Sequence, residues 1–88
     1  MKRLHLVISG QVQGVFFRDF AQKNSGNLKG WVKNTSTGAV EIIAEGEEEE
    51  LKRLLEKCRQ GPSAAKVEKI DEKWEKATNE FDSFEIKY

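Results

Sequence analysis

Polar and apolar residues alternate near the start of the chain, where Leu4, Leu6 and Ile8 take turns with His5, Val7 and Ser9. A period of two predicts a strand with one face buried more deeply than the other, and Gly10 ends it. Beyond the turn "QVQG" the period changes. Phe17, Phe20 and Ala21 fall at i, i+3 and i+4, one face of a helix, and the next position on that stripe is the polar Asn24. With Ser25, Gly26 and Asn27 following, the helix is expected to stop after about two turns. "LKGWVKN" and "AVEIIAEG" then read as two short strands around a "TSTG" hairpin connection, with Val40, Ile42 and Ala44 alternating against Glu41, Ile43 and Glu45. From Glu47 to Gln60 the helical period returns in Leu51, Leu54, Leu55 and Cys58. Glutamates fill the first turn and Lys57 and Arg59 the last, complementing the helix dipole, and Gly61-Pro62 stops the helix. "AAKVEKIDEKWEK" reads as a long strand through Ala65, Val67 and Ile70 with a bulge or bend before Trp74, and "FDSFEIKY" supplies a last short strand.

The order is β-α-β-β-α-β plus one terminal strand. It predicts an α+β, ferredoxin-like sandwich with two helices on one face of an antiparallel sheet and a short extra C-terminal strand. At 88 residues the chain is expected to be one domain, 1–88, large enough to bury a single core without disulfide or metal.

Charge narrows the function classes. Fifteen basic and 15 acidic residues give a formal net charge of zero, so no whole-molecule field draws in nucleic acid or an anionic membrane. Any anion must be bound locally. Cys58 is the only cysteine, which excludes an intramolecular disulfide and a cysteine-cluster metal site and points to a reducing, cytoplasmic setting. The first apolar run breaks at Ser9-Gly10, too short for a signal peptide, and nothing later approaches the ~20 apolar residues of a membrane span.

The stretch that fits a local anion site is "GQVQGVFFR". A glycine-bearing turn entering a helix leaves several backbone N–H groups unpaired at one spot, and glycine lets the chain curl into a concave nest around a phosphate. Arg18, early in the helix, can clamp the same oxygens bidentately. The same residues also fit an ordinary strand-to-helix turn with a surface arginine. Downstream, "GWVKN" ends in Asn34, whose amide offers both donor and acceptor to a water or a substrate oxygen, or else caps the turn.

Together, "GQVQGVFFR", then "GWVKNTSTGAVEIIAEG", then "GP" after the second helix resemble the acylphosphatase family over nearly the whole chain. The resemblance implies a small hydrolase, needing no metal or cofactor, that cleaves the carboxyl–phosphate bond of acyl phosphates to a carboxylate and inorganic phosphate. It implies that Arg18 binds the phosphoryl group together with backbone N–H groups of Gln13, Gly14, Val15, Phe16 and Phe17, and that Asn34 positions the attacking water. The connection from Arg18 to Gly30-Trp31 is slightly shorter than is usual in that family, and "SGNL" replaces an "ELGL"-like segment. The missing length is expected to come out of the first helix. Leu28-Lys29-Gly30-Trp31 still matches, so the strand carrying Asn34 is expected to stay in register.

The remaining chemistry-bearing residues take plainer readings. His5 is a sheet-face residue with no evident partner, and Asp19 suits the first turn of its helix, since helix neighbours point about 100° apart. Cys58 lies on an apolar stripe as a core thiol, Trp31 and Trp74 serve packing, and Glu47 to Glu50 form a solvated helix start. A monomer acting on a small molecule is the simplest expectation. Two rivals remain open at this level: a non-catalytic module on the same fold that binds a small anion or a protein, and a single-stranded RNA binder. RNA-recognition modules share the topology, but this chain is neutral and lacks their basic-aromatic strand pattern.

Overall fold

The computed structural model describes residues 1–88. Its elements run β1 (Lys2–Gln11), α1 (Phe17–Lys23), β2 (Lys29–Asn34), β3 (Val40–Gly46), α2 (Glu48–Gln60), β4 (Lys66–Lys76) and β5 (Phe84–Lys87). One five-stranded sheet has the order β4-β1-β3-β2-β5. The first four strands pair antiparallel, and β5 joins the outer edge of β2 in parallel. Two helices cover the sheet, α1 over β2 and β5 and α2 over β3 and β4, in the ferredoxin-like α+β arrangement that the element order implies. No helix is long and apolar enough to cross a membrane.

The core follows from the sequence periods. Leu4, Leu6 and Ile8 of β1 are fully buried beside Val40, Ile42 and Ala44 of β3, and all meet Leu51, Leu54, Leu55 and Cys58 of α2. Phe17 and Ala21 of α1, Val32 of β2 and Phe84 of β5 close the cluster toward the site, with the rings of Phe17 and Phe20 edge to face at 5.9 Å. Helix α1 ends early because two side chains take over its last carbonyls. Asn24 Nδ2 donates to the Phe20 carbonyl at 2.8 Å, and Ser25 Oγ, on a buried residue, donates to that of Gln22 at 2.6 Å.

In two places the strands differ from their sequence patterns. β1 does not end at Gly10 but runs on to Gln11. Gly10 adopts φ 131°, and a Cβ there would run into the Lys66 carbonyl oxygen, so glycine is what allows β4 to lie so close. Opposite it, Ser9 pairs with Lys69 and Gly10 with Val67, which leaves Glu68 as the extra residue of a bulge. The irregularity therefore lies at Glu68 and not before Trp74. It also explains why Val67 and Ile70, three apart, both pack against the core.

Candidate active site

After β1 the chain makes an irregular turn over Val12–Phe16. Val12 is buried and anchors the turn to the core, while Gly14 (φ 74°) and Phe16 (φ 63°) both take left-handed conformations. Alternation of this kind curls successive N–H groups toward the concave side of the chain. No backbone N–H from Gln13 through Phe17 donates to a backbone acceptor. Phe16 is the residue before α1, and its carbonyl accepts from Phe20 N–H at 3.0 Å. Its ring is among the most exposed large apolar groups of the protein, at 79%.

Arg18 lies in the first turn of α1 and is half-buried. Its Nη1 donates to the Lys87 carbonyl at 3.3 Å, and its guanidinium carbon lies 4.7 Å from the centre of the Tyr88 ring. Asn34 is the last residue of β2, held in register opposite Val40, and is also half-buried. Arg18 and Asn34 line a single cavity of about 310 Å³ together with Gly14, Phe16, Ile86 and Tyr88. Arg18 and Asn34 thus border the same space, with α1 only seven residues long.

Gln13 presents its side chain away from the turn. Nε2 donates to the carbonyls of Thr35 and Ala39, each at 2.8 Å, on the two arms of the β2–β3 hairpin. The hairpin is closed by Thr35 N–H on the Ala39 carbonyl at 2.9 Å and by Ala39 N–H on Thr35 Oγ1 at 3.1 Å.

The other candidate residues lie elsewhere. His5 Nε2 is 2.7 Å from Glu41 Oε2 across the β1–β3 pair, a partner that the sequence left invisible. Asp19 is exposed at the cavity rim. Burial pushes the Cys58 thiol up to about 12, so it stays protonated and inert. Trp31 is half-buried, with Lys33 and Lys87 Nζ at 5.1 and 4.9 Å from its ring, and Trp74 packs against the core. At the start of α2, hydrogen bonds from Lys2 and Lys52 hold the Glu48 carboxyl down at about 2.

The model of the acylphosphatase family matches residues 4–86. The chain belongs to the acylphosphatase family. Acylphosphatases are hydrolases of acid anhydrides. The chain is 47% identical to the acylphosphatase of Syntrophus aciditrophicus over 100% of its own length and 94% of the relative's. It is 41% identical to that of Methylococcus capsulatus over 98% and 96%. In three dimensions it superposes on the crystal structure of acylphosphatase from Bacillus subtilis with a TM-score of 0.96, covering 100% of both chains at 37% identity. The cavity residues that sequence reading missed are Val12, Ile86 and Tyr88. The last two arrive only through the parallel pairing of β5 with β2, which sets Ile86 opposite Val32 and Lys87 opposite Lys33. No local pattern announces that pairing.

Proposed function

We propose that the chain hydrolyses the carboxyl–phosphate bond of acyl phosphates in the cavity shared by Arg18 and Asn34. The observation that carries this reading is that one 310 Å³ cavity brings together a cationic fork, a neutral amide and the turn holding Gly14 and Phe16. In the proposed complex the phosphoryl oxygens accept from the backbone N–H groups of Gln13 to Phe17, and the Arg18 guanidinium closes on them bidentately. Asn34 holds a water through its amide, in line with the bond to the carboxyl oxygen. Such donors stabilise the charge that the equatorial oxygens carry in the transition state. The carboxylate departs with little need of a proton, so neither metal nor strong general base is required by this route. The residues 1–88 act as one domain, a monomer in a reducing cytoplasmic setting suited to the lone free Cys58.

The test is acetyl phosphate hydrolysis by the purified chain in the presence of a chelator, beside Arg18→Ala and Asn34→Ala. Each substitution is expected to lower kcat/KM by about 10²–10³-fold, as for removal of one preorganised charge-stabilising or positioning group. Full activity in both variants would remove the assignment, and phosphate binding without turnover in the parent would make the protein a binding module.

A further inference from the structure

We infer that the Gln13 side chain is a positioning residue that holds Asn34 in place against the phosphate-binding turn; this rests on the hydrolytic reading above. The two carbonyls it grips, those of Thr35 and Ala39, directly follow Asn34 and directly precede its pairing partner Val40. The Asn34–Val40 rung is therefore bracketed by one amide nitrogen. A primary amide has two N–H donors on that nitrogen, and both are used. These two bonds are the hydrogen-bonded link between the turn and the hairpin, since no backbone bond outside the regular elements joins Val12–Phe16 to Asn34–Ala39.

The consequence is geometric. The backbone of Gln13 belongs to the half of the site proposed to hold the phosphoryl group, and its side chain grips the half that carries the water-positioning amide. In-line attack tolerates little error, and a displacement of about 1 Å costs roughly 10²-fold in rate. Without the clamp the Thr35–Ala39 closure loses the donor that braces both of its carbonyls, so the hairpin opens more readily and is free to shift against the turn. The phosphate-binding N–H groups do not depend on the side chain. Loss of the amide is thus expected to act on kcat and to spare anion affinity. Glutamate at this position has the same shape but no donor when ionised, and it would face two carbonyl oxygens.

The experiment uses the full chain with Gln13→Ala, Gln13→Glu, Asn34→Ala and the double variant Gln13→Ala/Asn34→Ala. Acetyl phosphate turnover and competitive inhibition by inorganic phosphate are measured for each. We expect kcat to fall about 10- to 100-fold in both Gln13 variants, with the phosphate inhibition constant changed by less than about threefold. In the double variant, removing Gln13 is expected to cost no more than about twofold beyond Asn34→Ala, because a residue acting through Asn34 has nothing left to position. Amide hydrogen exchange supplies a readout independent of turnover. Thr35 N–H is expected to exchange about tenfold faster in Gln13→Ala while Ile42 N–H in the core of β3 is unchanged.

The inference is overturned by Gln13 variants whose kcat stays within about twofold of the parent, or by losses that multiply in the double variant. It is overturned equally by a phosphate constant that weakens in step with kcat/KM, or by unchanged exchange at Thr35. A parent chain that binds phosphate but turns nothing over removes the hydrolytic reading itself. An active parent with indifferent Gln13 variants removes only the positioning role.

Discussion

Phe16 holds a backbone conformation, φ 63° and ψ 26°, that costs an L-residue with a side chain roughly 1–2 kcal/mol. Its exposed ring returns little of that by burial, so the strain is maintained by the surrounding turn, as is common where a chain must aim its N–H groups. Asparagine tolerates this region and a β-branched residue does not. Phe16→Asn is therefore expected to be more stable than Phe16→Val by about 1 kcal/mol in urea denaturation, with equal stabilities counting against the strain. Arg18 permits a second residue-level test. Lysine retains the charge but loses the planar fork, so Arg18→Lys is expected to recover only a small part of the activity lost in Arg18→Ala. Full rescue would show that charge alone suffices.

At the scale of elements, stability and site placement are divided between different parts of the fold. Helix α2 buries four side chains, Leu51, Leu54, Leu55 and Cys58, and contributes no residue to the cavity lining, so Leu54→Ala is expected to cost about 2–5 kcal/mol and to leave KM unchanged in whatever fraction remains folded. The loop from β4 to β5 is tied down differently. Glu45, almost fully buried on β3, accepts from Arg3 Nε and Thr78 N–H, both at 2.8 Å, and from Asn79 N–H at 2.9 Å. Burial pushes this carboxyl up, but the bonds from Thr78, Arg3 and Asn79 outweigh it and hold it below the usual carboxylate range. A lowered native pKa means that the unfolded chain binds the proton first. The stabilisation is therefore present above the ordinary carboxylate range and lost as pH falls through the native value. Glu45→Gln is expected to cost roughly 1–3 kcal/mol at pH 7 and to flatten the loss of stability below about pH 4.5. Urea midpoints at several acidic pH values would check both, and a variant with the parent's acid profile would free Glu45 of this role.

For the whole molecule, neutrality and the buried thiol make the broadest predictions. With a formal net charge of zero, substrate capture relies on the local donors, so kcat/KM is expected to vary less than about threefold between low and physiological salt. The alkaline limit is set in part by Cys58. Its native pKa is raised to about 12 from the ordinary 9.0, so its contribution is complete below pH 9 and declines as pH rises toward 12. The expected slope is up to ~1.4 kcal/mol per pH unit, and Cys58→Ala should lessen it at the cost of a small cavity.

What the sequence alone determined is what local chemistry can encode. The stripe of Leu51, Leu54, Leu55 and Cys58, the alternation of β1 and β3, and the polar Asn24 that cuts α1 short all depend on neighbours within a few residues, and these elements form where their periods put them, although β1 runs past Gly10 to Gln11. The paired motifs around Arg18 and Asn34 were legible for the same reason, because a turn and a strand end are local objects. The Glu68 bulge was written in the three-residue step from Val67 to Ile70, yet a bulge is defined only by the partner strand, and the pattern by itself suggested a place nearer Trp74. Tertiary structure alone decided the rest. Whether Asn34 faces Arg18, whether Gln13 turns back onto the hairpin, and whether Ile86 and Tyr88 reach the cavity all follow from pairings between distant strands. Such pairings are selected by burial over the whole sheet, and no single segment carries that information.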